Sequence, residues 1–527
     1  MHDLIVVGAG TAGCVLAERL TGSGKLRVLL VESGGKPSSP FVGIPAGFAK
    51  LFRSKLDWNL ESEPQIFAGG RRIYIPRGRM LGGSSCLNAQ IHQWCHPADF
   101  DEWAESGCTG WSWSDVAPVF FDQEHWSGEG RANRGNAGRL AVTNNPSTHS
   151  LSKAFVDSAR THIAQASPEY NGFAYEGSWL CEVTNRDGRR NSAYDAWLKP
   201  ALGRPNLHVI TNSHATRIEF DGVRATGVTV TRGHTETTHG AGGVILAAGS
   251  FGSPQLLMLS GAGPGRLLSS LGIPVRHDCE AVGANLQDHP MVPLVFSTAR
   301  TDTLKNAESP ANLLRYLIYR KGMLASNAVE AFAFARSNSA LRAPDIELIF
   351  APFEWRNQGL EPPSVHAFAI GAAVVSPRSR GKVTLRTRNP GDKPAVDFSL
   401  LSDAEHRDRE ALSSAIDLAR KVAATEPLGR QRTGELDPGE SVTAADELDE
   451  WISRRLQTVY HPTSTCRMGS DAAAVVDPEL RVSGFERLWI ADASVMPSVP
   501  RGHPNAAVAM IAQRAAGFIE RHLVHMA

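Results

Sequence analysis

Apolar positions along this chain follow two rhythms, and the places where one yields to the other mark its elements. Leu4-Ile-Val-Val7 is an unbroken apolar run, Leu26-Arg-Val-Leu-Leu-Val31 is interrupted once, and Val244-Ile-Leu-Ala-Ala248 and Arg487-Leu-Trp-Ile-Ala491 repeat the habit far downstream. Short continuous runs bounded by turn residues predict strands covered on both faces, as in a parallel sheet. Elsewhere the pattern alternates. Asn206–Thr211, Ala215–Gly222 and Ala225–Thr231 read as short strands separated by Asp-Gly and Gly, a meander leading into the strand at 243–248. Further strands are expected at Glu347–Phe350 and Gly381–Leu385. Helices are expected from Cys14, over Glu405–Ala424 and over Asn505–His522.

The first strand feeds Gly8-Ala-Gly10-Thr-Ala-Gly13, then a helix, then a second strand ending in Glu32. Each part suits a dinucleotide. Gly8 permits the tight turn, Gly10 lets the backbone approach a pyrophosphate, and Gly13 lets the helix pack closely on the strand. The helix N-terminus offers free N–H groups to phosphate. Glu32, 19 residues past Gly13, stands where a carboxylate accepts hydrogen bonds from a ribose diol and repels a 2′-phosphate.

A chain of 527 residues exceeds one ordinary core, so two or more domains are expected. Lys+Arg and Asp+Glu are both 54, a balance that gives no electrostatic basis for general nucleic-acid or anionic-membrane binding. No apolar run is long enough to span a bilayer, and no signal peptide is expected ahead of the first strand. The seven cysteines lack CxxC pairs and read as reduced and mostly buried, which fits a cytoplasmic protein and makes a zinc site unexpected. No internal repeat or low-complexity region is found.

Several further blocks, taken together, resemble the glucose–methanol–choline (GMC) family of flavin-dependent alcohol oxidoreductases across nearly the whole chain. They are Gly78-Arg-Met-Leu-Gly82-Gly83-Ser84-Ser85-Cys-Leu-Asn88, Gly249-Ser-Phe-Gly-Ser253-Pro254 through Gly263, Val282 to His289, and Trp489-Ile-Ala-Asp492-Ala493. Ala262 departs from the family's larger aliphatic. The resemblance implies FAD. Gly8, Gly10, Thr11, Ala12, Gly13 and Glu32 would hold its ADP half, and Gly82, Gly83, Ser84, Ser85 and Asn88 would run along the ribityl chain and isoalloxazine. Ala215 would meet adenine, and Asp492 and Ala493 the diphosphate and flavin edge. Pro504 and Asn505 join these contacts at the start of the last helix. The histidine that tethers the flavin in some members is replaced by Leu87, so FAD is expected to be non-covalent.

The resemblance also implies an α/β fold: a Rossmann-like FAD-binding domain from 1–150, 190–290 and 446–527, and a discontinuous antiparallel-sheet substrate-binding domain from 151–189 and 291–445. Catalysis would centre on His461 as general base, since an imidazole titrates near neutrality. His503 aligns as second active-site residue, with Pro504 and Asn505 leaving the register open by one or two positions. His92, His96 and His289 are assigned structural or cofactor-supporting duty, Cys466 a packed thiol. Glu330, Phe353 and Trp355 could line a pocket or fill the core. No G-x-S-x-G elbow supports a hydrolase.

The expected reaction is oxidation of a primary alcohol to an aldehyde, with dioxygen and release of hydrogen peroxide or another acceptor. Pyridoxine leads as substrate. A choline-type, aryl or aliphatic alcohol is the alternative, with Glu330 the only acid nominated for choline. A FAD-containing hydroxynitrile lyase and a non-catalytic binding protein remain further alternatives. No nucleic acid, membrane or metal is expected, and oligomeric state stays open.

Overall fold

The apolar runs at 4–7, 28–31, 244–246 and 488–490 do assemble into one sheet in the computed structural model, which describes residues 2–128 and 134–524. They pair in parallel, and Leu207–Ile210 joins at one edge, giving the order 207–210, 28–31, 4–7, 244–246, 488–490. Every residue of the four runs is buried, which explains the missing alternation. Helix Thr11–Thr21 packs against the C-terminal helix Asn505–Val524. The meander His214–Asp221, Arg224–Arg232 and Thr235–Gly240 is antiparallel and leads back into the sheet at Val244. Trp103, Trp111 and Trp126 are buried in this core, with Trp113 packed against it.

A second sheet is antiparallel, with seven strands ordered 432–437, 290–298, 367–374, 346–351, 331–335 and 177–180, and Gln457–Thr458 paired beside Pro290. Alternation along its strands assigns the faces. Leu294, Phe296, Leu348, Phe350, Phe368 and Ile370 point into a core covered by helices Ser150–Ala159 and Arg407–Ala424. The intervening residues Met291, Pro293, Ile349, Ala351, Ala369 and Gly371 face a large cavity. Lys382–Thr384 forms a separate hairpin with Ala395–Asp397.

The division drawn from the sequence differs from the packing in two places. The sequence division places 446–527 in the nucleotide part, yet Trp451, Ile452 and Leu456 lie in the second core. The Trp451 indole donates to Asp437 of the second sheet at 2.7 Å, which ties that helix there. Leu60, Ala68, Ile73 and Ile75, from the first 150 residues, also pack into the second core.

Candidate active site

The cavity, about 670 Å³, extends from the parallel sheet to the face of the antiparallel one opposite its helices. That size lies within the roughly 300–1,000 Å³ of small-molecule and cofactor sites. Val7, Gly8, Val31 and Glu32 bring the C-terminal ends of two central strands to it, where ligands of open α/β sheets bind.

The glycine turn is built as its spacing implies. Gly8 has φ +100°, and a Cβ there would strike the Ala247 carbonyl. A Cβ on Gly13 would overlap the Gly8 carbonyl, so Gly13 serves helix packing and does not line the cavity. Gly10 faces open space, and no side chain caps the helix that follows, so its first N–H groups are available to an anion. Glu32 accepts from the main-chain N–H of Ala9 (2.9 Å) and Gly34 (2.7 Å), bracing the turn from below. Burial nonetheless pushes its carboxyl above the usual range.

Two further helix starts converge on the same space. Thr11 donates to Asn505 Oδ1 at 2.7 Å, joining the first turns of the first and last helices. Asp492 caps helix Gly249–Leu259, accepting from Gly249 N (2.9 Å) and Ser253 Oγ (2.6 Å), while its other oxygen holds Ser494. Its carboxylate is thereby engaged, and Asp492 and Ala493 both line the wall.

Gly83, Ser84, Leu87 and Asn88 line the cavity, as do Ala12, Ala215 and Pro504. Gly82 and Ser85 stand behind it. The Ser85 hydroxyl donates to the Gly82 carbonyl (2.6 Å) and accepts from Ala193 N (2.9 Å), so both shape the loop. Buried Arg190 anchors the same loop through Asn88 Oδ1 (2.7 Å) and the Ser85 carbonyl.

At the other end, His461 and His503 meet edge to face with ring centroids 4.8 Å apart, both on the cavity wall beside Tyr460. His461 Nδ1 lies 3.1 Å from Nδ1 of buried His289, and Asp288 Oδ1 accepts from the main-chain N–H of both His289 and His461 at 2.8 Å. His461 Nε2 has no hydrogen-bond partner among the described residues. His503 Nε2 pairs with fully buried Glu347 at 3.1 Å, and its main-chain N–H is held by Gln93. Burial first, then the neighbouring His503, His289 and Arg77, hold His461 well below the ordinary histidine range. His289 is pushed down to about 3 by burial, and Asp288 up to about 7 by the same cause.

His289 was expected to play a structural part; it is the hydrogen-bond partner of His461. Glu347 was not singled out, although an acid inside Ile346-Glu-Leu-Ile-Phe350 is the kind of buried charge that needs a partner. Glu330 does not reach the cavity: it accepts from His149 N, Ser152 Oγ and Ser326 Oγ, which removes it as an anchor for a cation. Trp355 lines the cavity, while Phe353 packs against it. His92 pairs with Glu124, and His96 caps helix Pro97–Glu105, both structural. The seven cysteines are unpaired, with Cys466 buried. No cluster able to hold a metal ion occurs among the described residues.

Comparison with known proteins bears on this arrangement. Two sequence models of one family, GMC oxidoreductase, match residues 2–291 and 377–512. An uncharacterized GMC-type oxidoreductase of Mycobacterium tuberculosis is 41% identical over 98% of this chain and 99% of its own. An oxygen-dependent choline dehydrogenase of Rhizobium johnstonii is 38% identical, over 98% of this chain and 95% of its own. Among solved structures, pyridoxine 4-oxidase from Mesorbium loti superposes with a TM-score of 0.90 at 30% identity, covering 99% of this chain and 100% of that one.

Proposed function

The chain belongs to the GMC oxidoreductase family, flavoenzymes acting on alcohol-type substrates, and on that premise we propose that it oxidises a primary alcohol to an aldehyde with His461 as the base. The family implies FAD, and the cavity fits it. Its volume suffices, Gly10 opens on it without a Cβ, and an uncapped helix N-terminus waits for a diphosphate. Glu32 would take the ribose, the wall from Gly83 to Asn88 and Ala215, Ala493, Pro504 and Asn505 the rest. Leu87 offers no nucleophile to the ring, which supports non-covalent binding. FAD held there would supply a hydride acceptor for the alcohol carbon, with dioxygen (giving hydrogen peroxide) or another acceptor as the final destination of the electron pair.

The observation that carries the reading is the pinned imidazole of His461. A proton on His461 Nδ1, donated to His289 Nδ1, leaves Nε2 bare as acceptor for a substrate hydroxyl. His289 Nε2 has no hydrogen-bond partner among the described residues, so the ring's one geometric contact is the Nδ1 facing His461. In this assignment His289 Nδ1 is the acceptor and His461 Nδ1 the donor of the 3.1 Å contact. His461 stays neutral at pH 7, as a base must. His503, fixed by Glu347, stands on the other side of the hydroxyl oxygen and orients it.

The substrate end is apolar: Phe48, Ile91, Met291, Val329, Ile349 and Trp355. Among the described residues the carboxylic acids on the cavity wall are Glu32, Asp392 and Asp492, and Glu347 behind His503 is already taken up by that ring, so a choline-like cation finds no free counter-charge. An aryl or alkyl carbinol fits better, and pyridoxine heads the compounds to try. Anaerobic mixing with a panel of alcohols, read at the flavin absorbance band and repeated in air with peroxide detection, tests the reading. Bleaching by aryl carbinols supports it; a flavin left oxidised by every alcohol overturns it.

A further inference from the structure

Helix Pro310–Tyr319 is built inside out. An amphipathic surface helix ordinarily buries its apolar stripe, yet here Tyr316 is the one buried side chain. Leu313, Leu314, Leu317, Ile318 and Tyr319 are 43–67% exposed, and they form the densest group of exposed large apolar residues on the described molecule. Half-buried Asn312 donates to the Asn306 carbonyl at 2.8 Å and so fastens the start of the helix to the preceding turn. The helix is fastened from below, where the Tyr316 hydroxyl donates to the carbonyls of Gly43 and Gly188. The sequence gives no other use for such a stripe.

The rim of this patch is basic. Arg315 and Lys321 are exposed beside it, Arg320 lies over the Tyr316 ring, and Arg189 sits on the hairpin under the same hydroxyl. None of the four makes an ion pair among the described residues. Of the nearby acids, Glu308 is taken up by Lys50 at 2.8 Å, and Asp187 at the hairpin tip stands alone against them. The net charge of zero therefore hides a local cationic ring around an apolar centre.

We propose that this helix docks the enzyme on a membrane surface carrying anionic phospholipid, its apolar stripe among the acyl chains and its basic rim against the phosphates. The chemistry matches that of interfacial helices, which lie in the headgroup plane without spanning it. No helix of the described residues is long and apolar enough to cross a membrane. A second copy of the chain fits less well, because a two-fold contact would gather the same four cations of both copies around one axis. The site also lies close to the substrate end of the cavity. Met323, in the turn after the helix, packs in one cluster with Phe48 and Trp355, both on the cavity wall. Docking here would put that end near alcohols dissolved in the bilayer.

Sedimentation of the FAD-loaded full chain with vesicles tests this, comparing phosphatidylcholine alone with phosphatidylcholine containing about one third phosphatidylglycerol. The expected result is binding to the anionic vesicles that weakens as salt is raised. R315Q/R320Q/K321Q should lower that partitioning on the order of 100-fold, at several-fold per cation, and L314S/L317S/I318S by about tenfold or more. Both variants should keep wild-type FAD content and melting temperature. Equal binding to both vesicle types, or variants that bind like the parent, overturns the proposal. So does a dimer in sizing chromatography that L314S/L317S/I318S converts to monomer, which would assign the face to a second copy.

Discussion

Replacing His461 by alanine removes the proposed base while leaving the nucleotide end of the cavity untouched. Among the described residues the imidazole bonds to His289 alone, and the main-chain N–H that Asp288 holds remains. Folding should lose about 1 kcal/mol for one neutral hydrogen bond, so FAD content per chain should match the parent. The rate of flavin reduction should fall by about 10²–10⁴, a barrier increase of about 3–5 kcal/mol. The pH profile sharpens the test. A base must be neutral to act, and burial with the field of His503 holds His461 well below 6.5. The wild-type rate should therefore stay flat from neutrality down through pH 6.5 and decline only as pH falls through that depressed value. The variant should lack this acid limb. Anaerobic stopped-flow mixing with a reactive alcohol across pH 5 to 8 measures both quantities. Reduction at the parent rate, or an acid limb unchanged in H461A, would refute the assignment.

Glu347→Gln breaks the charged contact to His503, an interaction worth about 1.5–3 kcal/mol. Flavin reduction should slow by about 10–100-fold with FAD retained, and an unchanged rate would exclude Glu347 from orienting His503. Gly83→Ala places a Cβ 2.7 Å from Gly10 Cα at φ +52°, so the loop must retreat; overpacking of about 1–3 kcal/mol should appear as a roughly 10–100-fold rise in FAD dissociation constant by fluorescence titration. His96→Asn keeps a capping side chain but removes an imidazole that burial pushes down to about 3. Below pH 6.5 the unfolded chain protonates this histidine and the native one does not, so the wild type loses stability as pH falls from about 6.5 toward 3. At pH 5 that loss is about 2 kcal/mol. Denaturant titrations should show the variant gaining relative to the parent as pH drops, and a constant difference between pH 7 and 5 would contradict the burial argument.

Much of this was legible along the chain because its physics is local. Continuous apolar runs announce strands covered on both faces, and the parallel sheet is built from them. The glycines of the first turn declare backbone needs that neighbours within a few residues impose, as the Gly13 and Gly8 contact shows. Blocks of sequence carried the family and so the fold. What stayed hidden depends on groups far apart in the chain. Only folding brings His289 to His461 across 172 positions, and Glu347 to His503 across 156. No spacing rule encodes those distances. Helix Ala445–Arg455 joins the second core, where the Trp451 indole meets Asp437, and its amphipathic pattern could not say which sheet it would cover. Whether Glu330 lines a pocket or fills the core is decided by two serines and a main-chain N–H that enclose it. The sequence determined which elements form and what the glycine turn can hold, since each is decided by neighbouring residues. The tertiary structure alone decided which acids and histidines face one another, because a buried polar group is satisfied by whatever the fold delivers to it.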